Sequence, residues 1–218
     1  FRDIQYHPTN SSIVYASTDQ LYRSNDGGES FIQVNNGLPN AGDVNRMELA
    51  VSIDQPDWVY ALTGKQSDAS FHGLYRSTDG GLSFQLQSDS PNIFGYAMSG
   101  TDSNGQSWYD MAIDADPNDA ATVFIGGINV WKSTDAGQNW TINTHWTYPS
   151  NVGYTHADIH EIRFFNGNLY CGSDGGIFKT TDSGNNWTDL TPGMEISQFY
   201  RLGLSPQNPG MVIGGMQD

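Results

Sequence analysis

Two histidines and an aspartate stand at alternate positions in the segment His156-Ala-Asp158-Ile-His160. Alternate side chains of a β-strand project from the same face, so this spacing predicts that all three lie on one side of a strand. Two imidazoles and a carboxylate can ligate a transition metal. They can also contact a polar ligand or hydrogen-bond to a neighbouring strand, and the pattern leaves all three interpretations open.

Three aspartates are candidates for acid–base chemistry, because glycosidic bond hydrolysis uses a pair of carboxyl groups roughly 5–10 Å apart. They are Asp110, Asp158 and Asp174. A sugar ring can stack on an aromatic side chain while polar groups bind its hydroxyls, which defines a second set, the candidates for ligand contact. This second set is Trp108, Tyr109, His145, Trp146, Tyr154, His156, His160, Tyr200 and Asp218. The alternative is that the aromatic residues only pack their loops onto the fold.

Several of these aromatic residues fall in two long segments without a strand pattern, 88–107 and 143–155. Loops of this length in a compact fold often carry function. We therefore expect the ligand site to involve at least one of the two segments.

The elements that position these residues follow from an internal repeat. Four segments share the pattern Ser/Thr-x-Asp-x-Gly-x-x-Phe/Trp and recur about every 50 residues. We call them the box turns, and they cover 24–31, 77–84, 133–140 and 180–187. Three strand-like runs precede each box turn and one follows it, which is typical of a four-stranded propeller blade.

The sequence thus predicts an all-β protein, a β-propeller of four-stranded antiparallel blades. The blades are expected at 1–40, 41–90, 91–150 and 151–195, with a fifth beginning at 196–218. Both ends of the sequence fall inside this pattern, so we expect one propeller domain that is incomplete at both ends and part of a longer polypeptide.

The box turns have a structural explanation. Glycine adopts positive φ there without steric cost, and the Asp carboxylate and Ser or Thr hydroxyl accept the N–H groups of the turn. The final aromatic residue anchors the hairpin. We therefore interpret one aspartate in each repeat as a turn-former rather than a catalyst or metal ligand: Asp26, Asp79, Asp135 and Asp182.

The propeller pattern also predicts where a ligand would bind. The first strand of each blade lines the central channel. The loops that precede these strands, and the turns between second and third strands, open on the face opposite the box turns, which we call the top face. Loops on such a face usually carry the ligand site. Trp108–Asp110, His156–His160 and Asp174 all fall there in the predicted arrangement.

Composition excludes some classes of function. There are 9 Lys and Arg against 24 Asp and Glu, a formal net charge of −15. Such an acidic surface repels phosphate backbones and argues against nucleic-acid binding. A single cysteine, Cys171, excludes an intrachain disulfide. The apolar runs are shorter than the roughly 20 residues of a membrane-spanning helix.

The box turns resemble the BNR/Asp-box repeats of sialidases, family 74 xyloglucanases and sortilin-type (VPS10) propellers. The runs His156–His160, Tyr170–Gly176, Gln198–Tyr200 and Gly214–Asp218 resemble a series common in large secreted Bacteroidetes proteins, which often carry a type IX secretion sorting domain. The resemblance implies a secreted or cell-surface location. It does not extend to the arginine triad or the Arg-Ile-Pro motif of sialidases, and it identifies no matched catalytic acid of the xyloglucanases.

Three functions follow as hypotheses. The first is a module of a larger secreted or surface protein that binds glycan or protein through its top-face loops. The second is a xyloglucanase-like glycoside hydrolase with a carboxylate pair at the channel mouth. The third is a structural or assembly domain of an adhesin or filament. No cofactor is expected, and a bound calcium ion stays open. The expected partners are a glycan or protein ligand and the remaining blades of the same polypeptide.

Overall fold

The computed structural model describes residues 1–149, 151–194, 199–205, 207–208 and 210–216, with backbone only for 199–202, 204, 215 and 216. Within these residues every regular element is a strand. No helix in this part of the chain is long and apolar enough to span a membrane.

The strands form four sheets of four and one of two. The first blade contains β1 (Asp3–Tyr6), β2 (Val14–Ser17), β3 (Leu21–Ser24) and β4 (Ile32–Val34). The second contains β5 (Val44–Val51), β6 (Val59–Lys65), β7 (Phe71–Ser77) and β8 (Gln85–Ser88). The third contains β9 (Ala112–Asp116), β10 (Asp119–Gly126), β11 (Val130–Ser133) and β12 (Thr141–Thr144). The fourth contains β13 (Ile159–Phe165), β14 (Asn168–Ser173), β15 (Gly176–Thr180) and β16 (Thr188–Asp189). The two-stranded sheet pairs β17 (Phe199–Leu204) with β18 (Val212–Met216).

The prediction of an all-β propeller with antiparallel four-stranded blades is confirmed. Strands pair in chain order within each blade, as in the register of Ile4 with Ala16 and of Leu49 with Ala61. The first strands of consecutive blades, β1, β5, β9 and β13, lie beside one another. The loops that precede these strands therefore converge around one axis.

Apolar side chains fill the junctions between blades. Tyr15 and Leu21 of the first blade pack with Leu49 and Val59 of the second. The second and third blades share the largest cluster, and the third and fourth share another that contains Cys171. Each fully buried large apolar side chain stabilises the fold by roughly 1.5–3 kcal/mol. The blades thus depend on one another for their core.

The aspartates of the box turns accept hydrogen bonds within their own turns. Asp79 Oδ1 accepts the N–H groups of Leu82 and Ser83 at 3.1 and 2.9 Å, and the hydroxyl of Ser77 accepts the N–H of Gly81. In the first box turn, hydrogen bonds from Ser24 and Ser30 lower the pKa of Asp26 to about 2. The hydrogen-bonding capacity of these carboxylates is thus used within the turns, which they stabilise.

Basic and aromatic residues link each blade to the next. Arg23 Nε donates to the carbonyl of Gly80 in the following box turn at 2.7 Å, as does the hydroxyl of Tyr15 at 2.9 Å. Lys132 Nζ likewise donates to the carbonyl of Ser183 at 2.7 Å. The box turns thus serve as docking points between blades as well as hairpin turns.

A tight turn precedes the first strand of the third blade. Residues 107–109 form this turn, which is closed by a hydrogen bond from the N–H of Asp110 to the carbonyl of Gln106. The strand β9 begins after it, at Ala112, and continues to Asp116. Asp110 is consequently a loop residue that is buried under its own turn.

Candidate functional site

Three polar side chains from different parts of the top face form one hydrogen-bonded group. The hydroxyl of Tyr109, in the loop before β9, donates to Asp174 Oδ2 at 2.8 Å. His160 Nε2, on β13, donates to Asp174 Oδ1 at 2.7 Å. The rings of Tyr109 and His160 meet edge to face at 4.9 Å. The carboxylate of Asp174, in the turn between β14 and β15, is thereby held by two donors and remains 41% exposed.

A glutamine connects the other two candidate carboxylates. Gln106 Nε2 donates to Asp110 Oδ2 at 3.0 Å and also to Asp158 Oδ1. The N–H of Asp174 donates to the carbonyl of Asp158 at 3.1 Å, which joins this pair to the group around Tyr109. The structure therefore brings together all three predicted acids. We call the set Gln106, Trp108, Tyr109, Asp110, Asp158, His160 and Asp174 the top-face cluster.

Asp110 is the most perturbed acid of the cluster. It is fully buried, and its Oδ1 has no hydrogen-bond partner among the described residues. Burial raises the pKa of Asp110 to about 7, opposed by the hydrogen bond from Gln106 and reinforced by the charge of Asp158. A carboxyl group with this pKa carries a proton for part of the time at neutral pH.

The hydroxyl of Tyr109 stays protonated and acts as a hydrogen-bond donor at neutral pH. Its hydrogen bond to Asp174, with partial burial and the nearby acids, raises the pKa of Tyr109 to about 12. The phenol therefore keeps its proton throughout the neutral range. Arg46 of β5 fixes the backbone beneath it, with Nη1 3.0 Å from the carbonyl oxygen of Tyr109 and Nη2 3.3 Å from that of Met111.

A buried amide and an imidazole hold the long loops in place. Asn129 Nδ2 donates to the carbonyl of Tyr96 at 3.3 Å, and its Oδ1 accepts the N–H of Trp146. His145 Nε2 also donates to the carbonyl of Tyr96, at 3.0 Å, while its Nδ1 pairs with Thr147. This network ties segment 88–107 to segment 143–155, so the loop that carries Gln106 is supported from two sides.

The aromatic candidates differ in their exposure. Trp108 is 62% exposed and lies against Tyr109, with ring centroids 5.5 Å apart. Trp146 is 44% exposed beside His145, which is itself buried with both ring nitrogens engaged. Tyr154 packs edge to face on Phe178, away from the cluster. Trp108 and Tyr109 thus form the accessible aromatic surface next to Asp174.

The expectation that His156, Asp158 and His160 share one strand face is wrong. β13 begins only at Ile159, and Asp158 has a φ of +62°, in the left-handed region that breaks the strand alternation. His156 packs on Gly175, Asp158 accepts from Gln106, and His160 donates to Asp174. Across the residues that the structure describes, no three His, Cys, Asp or Glu side chains group as metal ligands.

Two predicted ligand residues cannot be placed. The side chain of Tyr200 and the whole of Asp218 lie outside the described residues. Conversely, Gln106 and Arg46 have roles that sequence reasoning missed. A single glutamine or arginine outside a recurring motif gives no local signal, because its partners come from distant parts of the chain.

Below the cluster, charged residues narrow the channel between the innermost strands. Asp3, Glu48, Glu161 and Arg163 line a space of about 40 Å³. Burial raises the pKa of Glu48 to about 7, against the opposing effect of Arg46 at 2.8 Å. A space of this size accommodates water rather than a sugar ring, so any larger ligand must bind at the top face or elsewhere on the surface.

The chain is similar in sequence to one curated enzyme. No protein-family model matches it. A xyloglucanase of Hypocrea jecorina (strain QM6a) is 32% identical over 145 residues, which are 62% of this chain and 16% of that enzyme. The chain therefore spans less than a fifth of the length of this relative.

Solved structures share its fold. The GH74 xyloglucanase from Xanthomonas campestris matches with a TM-score of 0.64 at 18% identity, over 91% of this chain and 31% of the other. The GH74 enzyme of Niastella koreensis matches with a TM-score of 0.61 at 23% identity, over 98% of this chain and 32% of the other. YCF48 from Cyanidioschyzon merolae matches with a TM-score of 0.57 at 15% identity, over 93% of this chain and 59% of the other. The expected likeness to family 74 propellers is confirmed at the level of the fold.

Proposed function

We propose that this propeller binds neutral polysaccharide at the top-face cluster, as a module of a larger secreted or cell-surface protein. The observation that carries the proposal is the exposed Trp108–Tyr109 pair beside the pinned carboxylate of Asp174. The aromatic pair offers a flat surface for a pyranose ring. The carboxylate accepts hydrogen bonds from the sugar hydroxyls at a fixed position, with little entropy lost on binding.

The charge of the chain supports a neutral ligand. With a formal net charge of −15 and three aspartates in the cluster, an acidic polysaccharide would be repelled. The similarity to a xyloglucanase adds support, because xyloglucan is an uncharged polysaccharide. Neutral polysaccharide is therefore the ligand class that fits both the electrostatics and the relatives.

Affinity electrophoresis tests the proposal. The chain is run through gels that contain a neutral panel (xyloglucan, galactomannan or mixed-linkage β-glucan) or polygalacturonate. We expect retardation by at least one member of the neutral panel and none by polygalacturonate. Trp108→Ala should weaken binding about tenfold, since a central aromatic contact is typically worth this much. Phe165→Ala is the matched control, because Phe165 is 63% exposed but lies at the far end of β13.

An unchanged mobility of the wild-type chain in every gel would overturn the proposal. Equal loss of binding in Trp108→Ala and Phe165→Ala would also contradict it, because the effect would then not depend on the cluster. Retardation by polygalacturonate alone would contradict the neutral ligand class.

Hydrolysis is a second candidate, favoured by the raised pKa of Asp110 next to Asp158. A glycoside hydrolase needs one carboxyl group that is protonated at working pH and another that is ionised. The same wild-type preparation is assayed for reducing-end release on the neutral panel, beside Asp110→Asn, Asp158→Asn and Asp174→Asn. Release that disappears in one of these variants would assign an acid or base to the cluster.

A further inference from the structure

A cleft separate from the top-face cluster lies at the outer edge of the junction between the third and fourth blades. The loop after β12 forms one wall, with Tyr148, Pro149 and Tyr154. The fourth box turn and β16 form the other wall, with Trp187 and Asp189. Its volume is about 730 Å³, within the range of small-molecule sites. We call it the rim cleft.

The aromatic residues of the rim cleft form a supported stack. Tyr148 is 74% exposed, and its ring lies 4.9 Å from that of Tyr154. Tyr154 rests edge to face on the buried ring of Phe178 at 5.6 Å. The core of the fourth blade therefore supports an exposed tyrosine ring through two successive aromatic contacts.

The backbone presents Tyr148 at a conformational cost. Its φ is +58°, in the left-handed region that bulky residues rarely adopt. Its N–H donates to the carbonyl of His145 at 3.3 Å, and the imidazole of His145 is tied to the neighbouring long loop. The contacts of His145 therefore hold Tyr148 in a strained backbone conformation, although the exposed side chain of Tyr148 contributes little to the core. Strain of this kind is concentrated at ligand-contacting positions.

The polar groups of the rim cleft include several acceptors. Asn185 Nδ2 donates to the carbonyl of Asp182 at 2.6 Å and Asn186 Nδ2 donates to the Asp182 carboxylate at 2.7 Å, which leaves the carbonyl oxygen and the second N–H of each amide for a ligand. Asp189 accepts the N–H of Thr191 through Oδ1, and a second carboxylate oxygen remains. The residues lining the cleft include no lysine, arginine or histidine among the described part of the chain.

We propose that the rim cleft is a second saccharide-binding site, specific for neutral sugar units whose hydroxyls donate to these acceptors while one ring face stacks on Tyr148. An anionic sugar finds no cation there, and an aliphatic ligand would leave the amide and carboxylate oxygens unpaired. The proposal deepens the proposed function and rests on the chain recognising neutral polysaccharide. A polysaccharide long enough to reach both sites gains affinity from binding them together.

The test uses Tyr148→Ala and Tyr148→Phe with the neutral panel in affinity electrophoresis, beside Trp108→Ala. Tyr148 is exposed, so neither substitution removes core contacts. We expect Tyr148→Ala to weaken binding about tenfold and Tyr148→Phe, which keeps the ring, to bind within about twofold of the wild type. A second readout follows the NMR signals of the tyrosine rings during titration with a neutral hexasaccharide from the panel, where the Tyr148 signal should shift.

The outcomes separate the two proposals. Loss of binding in Trp108→Ala with no change in Tyr148→Ala and no shift of the Tyr148 signal overturns the rim cleft and keeps the top-face cluster. Loss in Tyr148→Ala with normal binding by Trp108→Ala keeps the rim cleft and overturns the cluster. Equal loss in Tyr148→Ala and Tyr148→Phe overturns stacking at the rim cleft, and no binding to any polysaccharide overturns both sites.

Discussion

Asp110, Asp158 and Asp174 share one chemistry but occupy three environments. Asp174 is exposed and accepts hydrogen bonds from Tyr109 and His160, which hold its carboxyl group where a ligand can reach it. Asp158 accepts from Gln106 on a left-handed backbone. Asp110 is fully buried with one unpartnered oxygen. Access to a ligand therefore decreases from Asp174 to Asp110, and burial raises the pKa of Asp110 to about 7.

Asp110→Asn should change how stability depends on pH. The folded pKa of Asp110, about 7, lies above the ordinary value of 3.8, so the folded protein binds more protons between pH 4 and 7. The free energy of unfolding should therefore fall as pH rises through this window. Asparagine cannot ionise, so the variant should lose the contribution of Asp110 to this fall, about 4 kcal/mol for a shift of roughly three pKa units at about 1.4 kcal/mol per unit.

Urea denaturation at a series of pH values from 4 to 8 measures this difference. Glu48 and Asp114, whose pKa values burial raises to about 7 and about 6, contribute a slope of the same sign that persists in the variant. Parallel curves for the wild type and Asp110→Asn would show that Asp110 does not titrate in this window.

At the scale of elements, the box turn shows how a short motif determines a hairpin. Asp79 accepts two backbone N–H groups three and four residues ahead, and Ser77 accepts that of Gly81. Gly80 and Gly81 have φ values of +69° and +80°, which glycine adopts without strain. The turn is thus satisfied by residues within five positions of one another, which is why the sequence alone could predict it.

Asp79→Ala should destabilise the second blade. The substitution removes the acceptor for Leu82 and Ser83, and we expect a loss of about 1 kcal/mol in the free energy of unfolding. Thermal and urea unfolding measure the change. Thr78→Ala, an exposed position of the same turn, is the control and should leave stability within about 0.5 kcal/mol of the wild type. Equal effects of the two substitutions would show that the carboxylate has no special role.

At the scale of the whole molecule, the blades are held by shared apolar clusters and by donors that reach the next box turn. Lys132 of the third blade donates to the carbonyl and the hydroxyl of Ser183 in the fourth, at 2.7 and 3.1 Å. At this junction, the loop after β12 and the fourth box turn form the two walls of the rim cleft. The same loop after β12 is tied to segment 88–107, which carries Gln106 of the top-face cluster. A change that destabilises this junction is therefore expected to affect ligand binding at both proposed sites.

Lys132→Met should loosen the junction between the third and fourth blades. Methionine keeps much of the apolar stem but cannot donate, so the partly buried carbonyl of Ser183 loses its partner, at a cost of about 1–2 kcal/mol. Hydrogen exchange should quicken in the fourth box turn and remain unchanged in the first. Lys179→Met is the control, because Lys179 occupies the equivalent place in the fourth blade without an inter-blade hydrogen bond among the described residues.

A uniform increase of exchange over all blades in Lys132→Met would contradict a local role for this contact. No change in either variant would show that the apolar cluster around Phe124, Ile162 and Phe178 carries the junction without it.

The repeat, the all-β class and the four-stranded blades could be predicted from the amino-acid sequence, because the box turns and strand alternation depend on residues close together in the chain. The candidates Asp110, Asp158 and Asp174 were found in the same way. How the three are connected depends on folding, since Gln106 and Tyr109 reach partners 52 and 65 residues away. Two further features depend on the backbone conformation of loops. The positive φ of Asp158 breaks the strand alternation between His156 and His160, and the positive φ of Tyr148 occurs in the loop that lines the rim cleft. Non-local packing selects such conformations, and no local pattern records them.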